Sequence, residues 1–383
     1  MRNQKIDSID TFFLLLRSGL YGSPIPENEL PASIDWEAVC DLALKQTVMG
    51  FVIEAAQHLP EHLRPSAAIL AKMKRYALSL IKTTFVLENA ASRLVEFFNR
   101  YGVSGVVLKG IGVARYYRQP QMRSGGDIDF YVGKREYRKA IEACLKEGLI
   151  EKNPDVKENR KHFEFILDGV TIEVHRLAAT LYFPWKNRRF QQWIISELEE
   201  SPARRALPLG GQTVTLPPVD FDALYIFYHG WNHYVVGGVG LRQVCDWAMV
   251  ISSCRDEIDT ERLVANIRRF GLESGWKLFA CIAVERLGVP ADKMPLYDPK
   301  YSGKSEKILE EILRIGNFGY HSEEYKKMRG ENFVGKRYAI TKFKAITRSY
   351  AALFPVIPLE AMFRYFATLL QGPLNIHKRA KES

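Results

Sequence analysis

The stretch that decides the fold reads DIDFYV at residues 127–132 and HFEFILDGVTIEVH at residues 162–175. Apolar and polar residues alternate in these segments, which is typical of β-strands with one buried face. Asp168 and Gly169 divide the second segment, and Asp-Gly is a strong signal for a two-residue hairpin turn. The sequence therefore predicts a strand at 127–132 and a hairpin with strands at 163–167 and 170–175.

This pattern places acidic side chains on one face of the predicted strands. Asp127 and Asp129 share a face because strand side chains alternate. A two-residue turn sets Glu164 opposite Glu173, where two like charges repel each other unless a positive group lies near them. Mg²⁺ prefers such oxygen ligands, so we predict that Asp127, Asp129 and Glu173 bind a metal ion. The alternative is an ordinary polar face turned to solvent.

The same register sets His162 opposite His175 on the polar face. Together with Glu164, these histidines are candidates for hydrogen-bonding to the metal ligands. The alternative is that both histidines are plain surface residues.

A second candidate region precedes the aspartate pair. Lys109 and Gly110 follow a short β-branched run at 105–108 and come before a helical segment at 111–117. Glycine lets the backbone approach a phosphate, and the lysine adds a positive charge. Arg123 either binds phosphate as well or pairs with the carboxylates, or it forms a salt bridge that holds its loop. We predict a phosphate-binding site at these three residues.

The flanks of this α/β unit read as helices. Apolar residues recur at helical spacing after Asp35 and again from 67 to 98, where the stripe includes Leu70, Ile81 and Phe85. Five further helical segments follow residue 220, and a last one is predicted at 359–370. The fold class is therefore α+β: a small mixed sheet with helices, flanked by helical segments at both ends. We predict four parts: 1–98, 99–219, 220–324 and 325–383.

Four residues of the second helical part are candidates for lining a substrate pocket. His229 and His233 lie four apart on a predicted helix, but a zinc pair would need a third ligand, so pocket lining or core packing is favoured. Arg242 and Asp246 have the i, i+4 spacing of an ion pair on a helix. The alternative for Asp246 is that it positions substrate.

Composition narrows the class of protein. The 383 residues are 47% hydrophobic and 26% charged, which excludes a disordered or collagen-like chain. Five cysteines without a CxxC pair predict a reducing compartment and no disulfide framework. We find no signal-peptide core, and the longest uncharged stretch, 223–241, carries histidines and glycines. We therefore expect a soluble cytoplasmic protein with no transmembrane segment.

Positive charge is concentrated at the C-terminal end. Residues 325–383 hold 12 Lys or Arg against 3 Glu, which is most of the net charge of +10. An amphipathic helix with a solvated basic face is the ordinary interpretation. The alternative is weak contact with RNA or with an anionic surface.

Taken in order, Leu108-Lys109-Gly110, Arg123, Asp127-Ile128-Asp129, His162 and the run 172–175 resemble the DNA polymerase β-type nucleotidyltransferase superfamily. They are most similar to its branch of uncharacterised bacterial nucleotidyltransferases. The helix with Arg242 and Asp246 is also similar to that branch. The superfamily usually has Gly-Ser or Gly-Gly where this chain has Lys109-Gly110.

The resemblance implies a function. Asp127 and Asp129 would bind two Mg²⁺ ions, or Mn²⁺, with Glu173 as the third carboxylate, while Lys109 and Gly110 hold the triphosphate. The reaction would move a nucleotidyl group from an NTP to a hydroxyl acceptor that the sequence does not identify. The alternative is a non-catalytic nucleotide-binding or regulatory protein with the same fold.

Overall fold

The computed structural model describes the backbone of residues 2–151, 161–236, 238–316, 347 and 351–367, and the side chains of these ranges from residue 8 onward. The predicted fold class is confirmed, because helices precede and follow a small mixed sheet along the chain. Among the described helices, none is both long enough and apolar enough to cross a membrane.

Four helices precede the sheet: α1 (Arg2–Tyr21), α2 (Trp36–Lys45), α3 (Met49–Gln57) and α4 (Ala67–Arg100). The side chain of Asp35 caps α2 by accepting a hydrogen bond from the Ala38 N–H at 3.0 Å. The periodicity predicts one continuous helical segment after Asp35, and this is wrong. Thr47 has a φ of 56°, a left-handed conformation that interrupts the helix between α2 and α3.

Helix α4 has 34 residues and belongs to two buried clusters. Met73 and Leu80 pack in the cluster that contains α1 to α3, whereas Leu87, Leu94 and Phe98 pack against the sheet. The predicted apolar stripe is wider than the face that meets the core. Three of its members are exposed: Leu70, Ile81 and Phe85.

The sheet has four strands: β1 (Val106–Leu108), β2 (Asp127–Tyr131), β3 (His162–Leu167) and β4 (Val170–His175). Their order is β1-β2-β4-β3, with β2 and β4 parallel and the two outer pairs antiparallel. Helix α5 (Gly110–Ala114) follows β1, and helix α6 (Gly133–Lys146) follows β2. The predicted hairpin register is confirmed, because Glu164 pairs with Glu173 and His162 with His175.

One face of the sheet is apolar and covered by helices. Ile128 and Phe130 of β2 and Ile172 of β4 are buried in one cluster with Leu94 of α4 and Ala140 of α6. Because side chains alternate along each strand, the acidic residues of β2 and β4 are turned to the opposite face.

Three elements between the hairpin and residue 219 were missed: α7 (Pro184–Ile195), β5 (Arg205–Leu209) and β6 (Gln212–Leu216). The two strands pair antiparallel around Gly210 and Gly211, whose φ values of 54° and 83° suit a two-residue hairpin turn. The Gly-Gly pair was the available signal. Pro208 weakened it, because proline inside a run argues against a strand.

Five helices follow: α8 (Val219–Val236), α9 (Leu241–Ser253), α10 (Thr260–Phe270), α11 (Glu273–Cys281) and α12 (Ser302–Ile315). All five predicted segments are therefore helical. Trp276 lies at their centre, with its ring centroid 4.9 Å from that of Phe227 and 4.7 Å from that of Trp247. These helices share one buried cluster with α1 to α3. The four-part division of the chain stays a prediction.

Most of the basic segment 325–383 lies outside the described residues. Within the described part, residues 358–367 are helical, in agreement with the start of the helix predicted at 359–370. Contact of this segment with RNA or an anionic surface stays a prediction.

Candidate active site

The polar face of the sheet brings the three predicted carboxylates onto adjacent strands. Asp129 of β2 and Glu173 of β4 are register partners in the parallel pair. Two residues earlier on each strand, Asp127 pairs with Thr171. Neighbouring strands lie about 4.8 Å apart, so Asp129 and Glu173 stand side by side. Asp127 is exposed, whereas Asp129 is 3% exposed. The set therefore has a buried end and a solvent end.

Asp129 has two positively polarised partners. The Lys109 Nζ lies 2.9 Å from its Oδ1, and the His175 Nε2 lies 2.8 Å from the same oxygen. Burial opposes ionisation of Asp129, but Lys109 and His175 outweigh burial and hold the pKa of this carboxyl well below its usual range. Asp129 is therefore ionised at neutral pH.

His175 links the two strands. Its Nε2 also lies 3.3 Å from Glu173 Oε2. Burial lowers the pKa of His175, but its contacts with Asp129 and Glu173 raise that pKa by more, so the imidazolium is favoured. The hydrogen bond from His175 lowers the pKa of Glu173 in turn. His175 thus contacts two of the three carboxylates, while Glu164 is exposed on the same face. Roles of these residues in supporting a metal site stay predictions.

Asp127 has the opposite electrostatic environment. Its pKa is raised, first because the surrounding protein desolvates the carboxyl and then because Asp129 carries a like charge. Lys109 and Arg242 reduce this rise. A divalent cation at this end of the site would relieve the repulsion between the two aspartates.

The Lys109–Gly110 turn is strained. Lys109 has φ 52° and ψ −141°, and Gly110 has φ 39°. Such a conformation costs a non-glycine residue about 1–3 kcal/mol and is held only where surrounding contacts impose it. Here the ion pair with Asp129 fixes the side chain that the turn presents. The turn therefore places the Lys109 ammonium directly on the carboxylate set.

Of the roles that the sequence allowed for Arg123, the structure shows the salt bridge that holds its loop. Its Nε and Nη2 each donate to Asp246 at 2.7 Å, and its Nη1 donates to the Ser124 carbonyl at 3.2 Å. Both side chains of the pair are 6% exposed. Asp246 also accepts a hydrogen bond from Tyr117 at 2.7 Å. All three guanidinium nitrogens thus bind protein atoms, so Arg123 holds its loop to α9.

The predicted pair between Arg242 and Asp246 is wrong. The Asp246 carboxylate is taken by Arg123, and Arg242 donates instead to the backbone carbonyl of Ser124. Burial and the positive charge of Arg123 lower the pKa of Arg242. Within the described chain its Nε has no hydrogen-bond partner, and its charge acts on Asp127. Arg242 is therefore a cation beside the carboxylates with donor capacity to spare.

His229 and His233 border the same region. Their ring centroids lie 4.4 Å apart on α8. Burial, followed by the positive charge of Lys109, lowers the pKa of both, that of His233 to about 4. Both imidazoles are therefore neutral at pH 7. The charge of Lys109 therefore reaches both histidines, and their role in lining a substrate pocket stays a prediction.

Tyr117 is a site residue that the sequence reasoning missed. Its hydroxyl group joins the buried Arg123–Asp246 pair, and its ring stacks on that of Phe51 with centroids 4.8 Å apart. No local pattern signals this role, because its partners are distant in the sequence.

The comparisons with known proteins can now be set beside this geometry. No match is found among curated proteins or among solved structures. A family model described as uncharacterised nucleotidyltransferase matches residues 32–288. That range is more than half of the chain and includes both the turn at Lys109 and the ion pair at Asp246. The chain therefore belongs to the uncharacterised nucleotidyltransferase family.

Proposed function

We propose that this protein moves a nucleotidyl group from an NTP to a hydroxyl acceptor in a Mg²⁺-dependent reaction. The observation that carries the proposal is the placement of Asp127 and Asp129 on β2 beside Glu173 on the adjacent parallel strand. Oxygen donors of this kind suit Mg²⁺, and Mn²⁺ would fit the same ligands. Asp127, Asp129 and Glu173 would hold two such ions.

Bound Mg²⁺ would supply charge neutralisation at the α-phosphate and at the acceptor oxygen. In the reaction the acceptor oxygen bonds to the α-phosphorus, the bond to the bridging oxygen breaks, and pyrophosphate leaves. The acceptor proton passes towards Glu173, which His175 orients from 3.3 Å. Lys109, whose ammonium lies 2.9 Å from Asp129, and Arg242, whose charge acts on Asp127, would bind the triphosphate. Arg123 acts as a positioning residue through Asp246.

Isothermal titration calorimetry with each of the four NTPs tests the proposal directly. With Mg²⁺ present, we expect heat of binding from at least one NTP. The same titration with EDTA should give no heat, because the carboxylates repel an unneutralised triphosphate. Absence of heat with all four NTPs, in both Mg²⁺ and Mn²⁺, would contradict the proposal.

A non-catalytic nucleotide-binding protein is the second candidate, and the existing ion pair of Asp129 with Lys109 favours it. Pyrophosphate release separates the two. A catalytic protein releases pyrophosphate from the NTP that binds when hydroxyl acceptors are supplied, whereas a binding protein retains the NTP intact.

Lys109 competes with metal ions for Asp129, and this gives a further prediction. Lys109→Met keeps the strained backbone and the side-chain length while removing the charge. In the absence of nucleotide, we expect Mn²⁺ to bind about tenfold more tightly, the equivalent of the ~1.5 kcal/mol that a hydrogen bond to a charged group contributes. NTP binding should weaken. Electron paramagnetic resonance measures free Mn²⁺, and unchanged Mn²⁺ affinity would refute the competition.

Lys134→Met is a matched control for that experiment. Lys134 is an exposed lysine near the start of α6. Its replacement removes the same charge from the chain and should change neither Mn²⁺ nor NTP binding.

A further inference from the structure

Two histidines face each other across the β3–β4 hairpin. His162 and His175 are register partners, and their ring centroids lie 5.3 Å apart. Glu173 lies two residues before His175 and therefore on the same face of β4. One ligand atom from each of these three residues lies within 4.8 Å of the other two. The hairpin register and the shared face of β4 thus bring two imidazoles and a carboxylate together.

The donor chemistry of this trio differs from that of the carboxylate set. Two imidazole nitrogens and one carboxylate oxygen suit Zn²⁺ and similar transition metals, whereas Mg²⁺ favours oxygen ligands. Bonds of about 2.0–2.2 Å around a tetrahedral Zn²⁺ place ligand atoms about 3.4 Å apart. The ligand atoms of the trio, which lie within 4.8 Å of one another, would move closer together to reach that spacing. Three protein ligands would leave a fourth position open.

The geometry points to a transition-metal site at His162, Glu173 and His175 that takes Zn²⁺ and shares only Glu173 with the Mg²⁺ ligands. Glu173 belongs to both sets, and His175 also contacts Asp129 at 2.8 Å. Zn²⁺ in this site therefore draws Glu173 away from the Mg²⁺ ligands. The consequence, which rests on the proposed function, is that Zn²⁺ inhibits binding of the Mg²⁺–NTP complex.

A second histidine pair is the main alternative site for Zn²⁺. His229 and His233 lie on one helix with ring centroids 4.4 Å apart. Among the described residues, no cluster of three metal-ligating groups includes either of them. Replacing one histidine at a time distinguishes the two candidate sites, because the sites share no side chain.

Calorimetric titration of tag-free protein with ZnCl₂ in Mg²⁺-free buffer tests the site. We expect one equivalent to bind to the wild type and to His233→Ala. His162→Ala should weaken binding at least about tenfold, since even the loss of a residue that supports a ligand has that effect. His62→Ala removes an exposed histidine of the helical region and serves as control. The assignment would be overturned if His233→Ala lost Zn²⁺ binding, or if His162→Ala bound Zn²⁺ as tightly as the wild type.

Co²⁺ gives a readout that a merely structural role of His162 would not change. Co²⁺ in a site with nitrogen ligands absorbs visible light, so its spectrum should appear in wild-type protein and disappear in His162→Ala. His162→Gln, which keeps a polar side chain on β3, covers the case in which the alanine variant does not fold. A Co²⁺ spectrum that persists in the folded variant would refute the site.

Asp127→Asn separates this site from the proposed function. That variant should keep Zn²⁺ binding and lose Mg²⁺–NTP binding, whereas His162→Ala should lose Zn²⁺ binding. One equivalent of Zn²⁺ should reduce NTP binding in the wild type and leave it unchanged in His162→Ala. Zn²⁺ binding without any NTP binding would defeat the proposed function alone. NTP binding that Zn²⁺ does not affect would overturn the inhibition.

Discussion

Asp127→Asn is expected to lower Mg²⁺-dependent pyrophosphate release by at least about 10³-fold, the scale of losing one preorganised group that stabilises transition-state charge. The replacement is nearly isosteric and removes a ligand charge at the exposed end of the site. Because desolvation, and then repulsion from Asp129 and Glu173, raises the pKa of Asp127, the variant should also be no less stable than the wild type. Pyrophosphate release and urea unfolding measure the two effects separately.

Asp168→Asn is the matched control for this experiment. Asp168 is exposed at the turn of the β3–β4 hairpin, and its carboxylate pairs with Arg93 at 2.6 Å. Exposed ion pairs contribute little, and asparagine tolerates the φ of 53° at this position. Activity should be unchanged. Equal activity of Asp127→Asn and the wild type would refute a catalytic role for the aspartate pair.

Asp246→Ala is expected to destabilise the fold by about 3–5 kcal/mol, the cost of removing one partner from a buried ion pair. Arg123 would remain buried without its carboxylate, and the guanidinium of Arg242 would face it as an unscreened like charge. Tyr117 would also lose the acceptor of its hydroxyl group. Urea unfolding followed by tryptophan fluorescence measures the change.

Two further variants sharpen this result. Glu142→Ala breaks an exposed i, i+4 pair with Arg138 and should change the free energy of unfolding by less than about 0.5 kcal/mol. The double variant Arg123→Met with Asp246→Leu removes both charges and should regain most of the lost stability. A loss below about 1 kcal/mol in Asp246→Ala would show that the pair is not a major support of the loop.

The local pattern was enough to predict the hairpin and the face that carries the acidic residues. Asp168 and Gly169 fix the turn, and the turn fixes which residues stand opposite each other, so Glu173 and His175 fall on one face. These features depend on residues less than fifteen positions apart. Their physical cause lies within the quoted stretch itself.

Long-range partners could not be predicted in the same way. Arg123 and Asp246 are separated by 123 positions, and the choice of Arg123 over Arg242 depends on how α9 packs against the loop. Lys109 reaches Asp129 only because β1 and β2 are paired with Leu108 beside Asp129. The spacing of Arg242 and Asp246 suggested a local pair, but a buried bidentate contact is stronger than one on a helix surface.

The continuity of α4 restricts how the molecule can move. Its 34 residues span about 50 Å without a break, and one end is buried among the N-terminal helices while the other supports the sheet. A rigid rod fixed at both ends resists hinge rotation between the regions it joins. In the proposed reaction, NTP entry would depend on local rearrangements, above all release of the Lys109 ammonium from Asp129.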